Sequence, residues 1–527
     1  MGGYDFPGSN SSTDLHVLTG WVPEHVFVHD AGFDAGATWA RLADGARRGT
    51  VLATIATGEI GAAAAGALGL VPAHAYAVLD VREACGERLL KLKNPWSALR
   101  WTGRFSPDDA ARWTPALMRA LGYDPAAERE DCGLFWIDYA SVCQHFDAIH
   151  LNWDPRAFAH SAAMHFEWAA GAGPQQALYD FSGNPQFTVT VGGGSKAEAK
   201  CSSAQGAAEP ATVWALLSKH LLKTAPNGDF IALHVYAGGQ RIYEPRGALL
   251  IGEYANAPHV LVRLSAAAGA RYTLVVAQRD KTASLFFTLR LFGDAALQLS
   301  RAPQPAFSEA VQGQWGSASA GGNSAAPRYL DNPQYRLTVA ARASGVVALR
   351  AAQPHAVNVR VFRTGFLVTR VLEANTVASS GKYRARFCTC ALDALEPGSY
   401  TLVASTFEPF LFSRFTLAVG LDAPFALAPI AREGAGMRLR ELHGRWTPGA
   451  PPPRFLVQPP PGCSVLVRLQ TPRADPLPLV SVAIFEAGAA EPCASSGSFA
   501  NSPQGVATQP TRIGGADYLV VPAAWGH

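Results

Sequence analysis

A chain of 527 residues with 44 Lys and Arg against 41 Asp and Glu carries a formal net charge of only +3, so it shows no nucleic-acid footprint. Its length allows about three or four domains, each with its own core, and its eight cysteines are too few and too irregularly spaced for a disulfide framework, which points to a reducing, cytoplasmic setting. No charged-then-apolar leader opens the chain, and the low-charge stretch from Val51 to Val81 is Ala/Gly-rich, holds Glu59, Pro72 and His74, and lacks the Leu/Ile/Phe density of a membrane span, so no transmembrane segment is expected.

The first strong pattern is a hairpin. Ala73-His74-Ala75-Tyr76-Ala77-Val78-Leu79-Asp80-Val81 alternates apolar with small or polar residues, and after Ala84-Cys85-Gly86-Glu87 a second strand, Arg88 to Lys93, runs into Asn94-Pro95-Trp96. A turn centred near Cys85 makes position 74 face position 94. A His beside an Asn amide is the general-base half of a Cys-His-Asn site: the amide oxygen accepts from one ring nitrogen and leaves the other to take a thiol proton. A lone His on an alternating strand is more often structural than catalytic; the Asn-Pro-Trp partner, together with the family resemblance that the surrounding segments carry, reverses that weighting. The thiol is missing. Cys85, Cys132, Cys143, Cys201, Cys388, Cys390, Cys463 and Cys493 all follow His74, whereas a papain-type nucleophile precedes its histidine, at the start of a helix that lowers the thiol pKa.

Further along, Trp101 reads as a core aromatic. Ser106-Pro107-Asp108-Asp109 reads as a helix start, with Ser at the N-cap, Pro in the first helical position and carboxylates in the first turn; two carboxylates fall short of the oxygens that calcium needs. Leu134-Phe135-Trp136-Ile137 and Phe146-Asp147-Ala148-Ile149-His150-Leu151 read as strands, and Asp154-Pro155 begins the exit from this segment. Gly192-Gly193-Gly194-Ser195-Lys196 lacks the full spacing of a phosphate loop and reads as a hairpin loop. Cys388-x-Cys390 has no second pair to complete a zinc site.

After the exit a domain-sized pattern recurs. Trp168 leads to Asn184-Pro185-Gln186-Phe187-Thr188-Val189, and Trp315 leads to Asn332-Pro333-Gln334-Tyr335-Arg336-Leu337. The units close on matching pairs: Tyr272 to Ala277 with Phe287 to Leu291, then Tyr400 to Ser405 with Phe415 to Val419. Such runs, rich in β-branched and aromatic residues between Gly/Pro/Ser turns, are a sandwich signature. The paired Trp and Asn-Pro-Gln are read as core filling and strand entry in preference to a peptide- or lipid-binding edge. A third unit starts near Trp446, with strands at Arg454 to Val457, Val465 to Leu469 and Tyr518 to Val521, and stops before a closing strand, which predicts an unpaired edge in a unit that is either less well ordered or patched from elsewhere. Pro451-Pro452-Pro453 and Pro459-Pro460-Pro461 read as stiff loops.

Several of these segments together resemble the calpain family. They are Gly69-Leu70-Val71-Pro72-Ala73-His74-Ala75-Tyr76, Lys91-Leu92-Lys93-Asn94-Pro95-Trp96-Ser97, Trp101-Thr102-Gly103-Arg104-Phe105-Ser106, Trp113-Thr114-Pro115, Leu18-Thr19-Gly20-Trp21 and Gly133-Leu134-Phe135-Trp136-Ile137-Asp138-Tyr139. The opening Gly2-Gly3-Tyr4-Asp5-Phe6-Pro7-Gly8-Ser9-Asn10-Ser11 and the tandem later units resemble its atypical calpain-seven (PalB-like) branch, which carries β-sandwich modules in place of EF-hands. The resemblance is strong to roughly residue 420 and weaker beyond. It implies an α+β, mostly β chain: the His/Asn half of a papain-like protease core over 1–155, C2-like antiparallel β-sandwiches over 160–297 and 305–422, and a partial third unit over 436–527.

By the same resemblance His74 is the catalytic base, Asn94 its orienter and Trp96 the aromatic that shields their hydrogen bond. The parent activity is intracellular limited proteolysis by a cysteine nucleophile, which lies before Met1 with the oxyanion-hole Gln. No cofactor follows from the residues, and calcium enters only through the family. The implied partners are protein substrates, or a cysteine-bearing amino-terminal half of a truncated enzyme. The alternative is a non-catalytic scaffold that binds partners through its sandwiches, with the protease half a relic.

Overall fold

Apolar alternation in the first 150 residues closes into one antiparallel sheet. The computed structural model describes residues 9–124, 132–171, 178–192, 210–220, 228–281, 284–371, 373–447, 450–472, 474 and 476–525. They fall in two units, 1–303 and 304–527. The first begins with strands β1 (Val22–Phe27), β2 (Val51–Ala56), β3 (Ala75–Ala84), β4 (Glu87–Lys93), β5 (Leu134–Asp138) and β6 (Ala148–Trp153), ordered β1-β6-β2-β3-β4-β5. Helix α1 (Ser11–Thr19) is capped by the Asn10 side chain, and α2 (Ala35–Arg48), capped by Asp34, buries Trp39 and Leu42 in the core that the sheet shares with Ile55, Tyr76 and Leu90. The shorter helices are α3 (Ala62–Leu68), α4 (Pro115–Leu121) and α5 (Tyr139–His145).

Antiparallel pairing gathers alternate strand ends along one rim. Phe27 and Ala56 both face Ala148, Ala56 faces Ala75, Ala77 faces Lys93, and Lys93 faces Leu134. The segments just beyond these residues therefore lie side by side, and they carry His29, Asp147, Gly58, His74, Asn94 and Gly133.

Two expectations are corrected here. The β3–β4 turn is Cys85-Gly86, with φ of 52° and 82°, as in a type I′ hairpin, but Leu79 is bulged out between the Val78–Leu92 and Asp80–Lys91 pairs. Counted on from Ala77–Lys93, the ladder sets Asn94 beside Tyr76, so His74 does not directly face Asn94. Nor does Ser106 start a helix. Residues 106–112 are successive turns in which the Asp109 carboxylate accepts from the Phe105 amide and from Arg112. The helix begins at Pro115, where Thr114 caps Leu117. Thr-Pro there offers the same cap chemistry as Ser-Pro, with the apolar Leu117 buried behind it.

The rest of the first unit is a double sheet of β7 (His160–Trp168), β8 (Gln186–Val191), β9 (Ala211–Lys219), β10 (Ile231–Ala237), β11 (His259–Ala266), β12 (Arg271–Gln278), β13 (Leu285–Gly293) and β14 (Leu297–Arg301), in orders β11-β9-β13-β7 and β10-β12-β8-β14. Inward residues of both sheets form one core.

The second unit repeats this order with β15 (Phe307–Trp315), β16 (Gln334–Val339), β17 (Ala343–Ala351), β18 (Ala356–Phe362), β19 (Thr376–Ser379), β20 (Arg384–Ala385), β21 (Phe387–Leu395), β22 (Gly398–Thr406), β23 (Ser413–Leu421) and β24 (Phe425–Ile430). Its sheets are β15-β23-β17-β21 and β19-β18-β22-β16-β24, with β20 also on β18. Leaving aside β19 and β20, odd strands form one sheet and even strands the other, in the same order as before. Trp168 and Trp315 both end the first strand, and Asn184-Pro185-Gln186 and Asn332-Pro333-Gln334 both enter the second. The Gln186 amide binds Phe181 O and both backbone polar groups of Ile242, as Gln334 binds Leu330 O and those of Val368. The repeats are thus built into the backbone bonding.

Beyond residue 450, Tyr518–Ala524 is a central strand, paired with both Phe455–Val457 and Val480–Glu486. Val480–Glu486, which the sequence reading passed over, runs along the whole of Tyr518–Ala524. The expected strand from Val465 to Leu469 is two short ladders, Ser464–Val465 and Arg468–Leu469.

Candidate functional site

His74 stands just before β3 on a backbone fixed from three sides. Thr57 N–H donates to His74 O and His74 N–H donates to Thr57 Oγ1, both at 3.0 Å, while the Thr57 hydroxyl donates to Val71 O at 2.6 Å. Ala73 takes a positive φ of 45° and donates to Gly58 O at 2.9 Å, a kink that turns the next residue onto the rim. Beneath the imidazole the buried Tyr76 ring meets it edge-on, with centroids 5.1 Å apart, and Tyr76 is itself held because its hydroxyl accepts from Val71 N–H at 2.8 Å.

Asn94 has no solvent exposure. Its Nδ2 donates to Ala98 O at 2.6 Å and Leu99 O at 3.1 Å, and its Oδ1 accepts from Trp96 N–H at 3.1 Å. Residues 95–100 wrap around the amide, with Ser97 and Leu99 at φ of 56° and 60°. Gly133 closes the other side: its carbonyl accepts from Asn94 N–H at 2.9 Å, and at φ +74° a Cβ there would stand 2.9 Å from Asn94 O.

These bonds settle the proton on the imidazole. Two carbonyls on one end of the amide and an N–H on the other fix which atom is oxygen. His74 Nε2 lies 2.9 Å from that oxygen, so Nε2 carries hydrogen and Nδ1 holds the lone pair when the ring is neutral. Trp96 lies over the imidazole with centroids 4.6 Å apart, although its own side chain is 62% exposed. The three residues singled out in the sequence are thus brought together. The side chains reach across a register offset that the backbone ladder alone does not bridge.

Other candidates lie elsewhere. Trp101 is buried, and its indole donates to Arg104 O. Burial raises the Cys143 thiol pKa and pushes that of Cys390 up to about 12, the wrong direction for a nucleophile near neutral pH. Among the described residues no cysteine thiol is hydrogen-bonded to His74. Cys201 and all of Gly193 to Lys196 lie outside the described residues. Thr57, Tyr76 and Gly133, which hold the pair in place, were not singled out; the period-two spacing of His74 and Tyr76 was the one available signal. The same rim also carries His29 and Asp147, 3.7 Å apart and both exposed.

A family model described as calpain family cysteine protease matches residues 2–152, and one described as calpain large subunit, domain III matches residues 311–419. The chain is 37% identical over 422 residues to calpain-7 of Homo sapiens, covering 78% of this chain and 50% of that one. It is 36% identical over 454 residues to the calpain-like protease palB/RIM13 of Aspergillus oryzae, covering 83% and 50%. The chain therefore spans about half the length of these curated relatives. A similarity to the crystal structure of tripeptidyl peptidase 2 has a TM-score of 0.15 at 9% identity, covering 60% of this chain and 35% of that one, too low for a shared fold to follow.

Proposed function

Because the chain belongs to the calpain family of cysteine proteases, we propose that His74, Asn94 and Trp96 form the base half of a Cys-His-Asn endopeptidase site. In this reading residues 1–155 are one lobe of a papain-like core, 160–297 and 305–422 are C2-like β-sandwiches, and 436–527 is a further β unit. The supporting observation is the 2.9 Å contact between His74 Nε2 and an amide oxygen whose orientation its other bonds already fix.

With Nε2–H committed to Asn94, Nδ1 takes the proton of a cysteine thiol as the thiolate attacks a peptide carbonyl, and returns it to the leaving amine. Water then repeats the cycle on the acyl-enzyme. Asn94 holds the ring in one tautomer and orientation. Trp96 covers the Nε2–Oδ1 bond, which strengthens as water is excluded. The nucleophile is a cysteine carried outside these 527 residues, on a further segment or a separate chain, and the substrates are intracellular proteins cleaved at few sites.

The alternative, a scaffold that binds partners through its double sheets, draws on the lack of a thiol partner for His74 among the described residues. One experiment separates the two. The chain alone is expected to leave casein intact and to take no label from an epoxide cysteine-protease probe. Joined to the cysteine-bearing segment of a calpain, it should gain both properties and lose cleavage on His74→Ala. Cleavage by the chain alone that persists in His74→Ala would refute the assignment, and a joined protein that folds but stays inert would favour the scaffold.

A further inference from the structure

Away from the His74 rim, a cavity of about 540 Å³ opens where α1 meets the outer face of the β11-β9-β13-β7 sheet. Its polar wall is His16 from α1, Ser218 and His220 from β9 and the residue after it, His259 from β11, and Thr288 and Arg290 from β13, with Lys219 alongside. Among the described residues no carboxylate lines it. Lys219 is committed to Asp229 O at 2.8 Å. Arg290 is half-buried and has neither a carboxylate nor a hydrogen-bond partner among the described residues.

The imidazoles are held at one nitrogen each. His16 Nδ1 lies 2.8 Å from Trp21 O, so it is a donor, and Nε2 is left without a protein partner. His259 Nδ1 meets Ser218 Oγ at 2.9 Å and His220 Nε2 meets Thr288 Oγ1 at 2.7 Å, again leaving the second nitrogen of each ring unbonded. The His16 and His259 rings touch edge to face with centroids 4.4 Å apart. A half-buried guanidinium without a counterion among the described residues, beside ring nitrogens that become donors once protonated, is complementary to a compact dianion.

We propose that this cavity binds an anion of the phosphate class, held by Arg290 and by the protonated Nε2 atoms of His16 and His259, with uptake of up to two protons on binding. Burial lowers the pKa of both rings, that of His259 to about 3, and the neighbouring charge of Arg290 adds to the effect. A bound dianion offsets Arg290 and favours the charged imidazoles. The other groups near the rings are His25 of β1, which faces His259, and His165 of β7, whose Nδ1 meets the Thr288 hydroxyl at 2.8 Å; the Glu24 carboxylate beside His25 is already bound by Arg41 and Arg263. The cavity is larger than a bare phosphate, which suits a phosphate monoester, either soluble or as a lipid headgroup.

Calorimetric titration of the full chain with sulfate tests this directly, since sulfate has the shape and charge of phosphate but does not titrate near neutral pH. Affinity should rise by up to about tenfold per pH unit lowered for each proton taken up, with matching uptake seen in buffers of different ionisation heat. Arg290→Gln should weaken binding by about tenfold or more, and Arg290→Lys by less. If Arg290→Gln does not fold, His16→Gln should flatten the pH dependence while Arg290 remains. Glycerol 3-phosphate and phosphatidylcholine vesicles with or without a phosphatidylinositol phosphate then distinguish a soluble ester from a headgroup. Absence of sulfate binding, pH-independent binding, or equal affinity in folded Arg290→Gln overturns the proposal.

Discussion

At the residue scale, His74 and Asn94 divide chemistry from stability. The imidazole is partly exposed and, among the described residues, its ring hydrogen-bonds only to Asn94, whereas the fully buried amide holds two loop carbonyls, a loop N–H and the ring. His74→Ala is therefore expected to change the denaturation midpoint little and to abolish cleavage in a joined enzyme. Asn94→Ala should lower stability by about 1–3 kcal/mol, through buried groups left unpaired, and also reduce turnover; urea melts beside casein assays read both. The residue types were legible because a His on an alternating strand and an Asn-Pro-Trp at the end of the next strand match the base half of a Cys-His-Asn site and the calpain resemblance. What fixes the tautomer was not legible: it depends on the carbonyls of Ala98 and Leu99, which any side chains could have carried.

At the scale of elements, the hairpin shows where one-dimensional counting fails. Strand identity follows from alternation, but register does not: the Cys85-Gly86 turn pairs Ala84 with Glu87 rather than centring the hairpin earlier, and the Leu79 bulge then shifts every pair beyond it by one. In the turn, Cys85 occupies a positive φ that Asn tolerates better. Cys85→Asn should raise stability by up to about 1 kcal/mol and Gly86→Val should lower it by a similar amount or more, as thermal melts would show. The misplaced helix start yields a paired prediction. Thr114→Ala, which removes a working cap, should cost about 1 kcal/mol, while Ser106→Ala should be near neutral, because the buried Ser106 hydroxyl has no partner to lose. Both Ser-Pro and Thr-Pro satisfy the local rule, and only the burial of Leu117 chooses between them.

At the scale of the whole molecule, the protease-like sheet of the first unit is joined to its double sheet through Glu24, whose buried carboxylate accepts from Arg41 at 2.8 Å, Trp153 at 2.8 Å and Arg263 at 3.1 Å. Glu24→Gln should destabilise this junction by about 2 kcal/mol or more, below the roughly 3–5 of a fully buried pair, since both guanidiniums are partly exposed; differential scanning calorimetry would show the first unit melting earlier. The His25 and His150 rings meet near the same junction, Nδ1 to Nδ1 at 2.9 Å. Burial lowers both pKa values, that of His150 to about 4 from 6.5, so the unfolded chain binds more protons between those limits. Stability should be full above pH 6.5 and fall as the pH drops towards 4, a trend that His150→Gln should weaken. The sequence by itself determined the mostly β character, the recurring Trp and Asn-Pro-Gln units and the residues of the candidate site, because periodicity and residue chemistry are local properties. Only the tertiary structure decided the hairpin register, the central place of Tyr518–Ala524 and the gathering of His16, His259 and Arg290 around one cavity, because each depends on contacts between segments far apart in the chain.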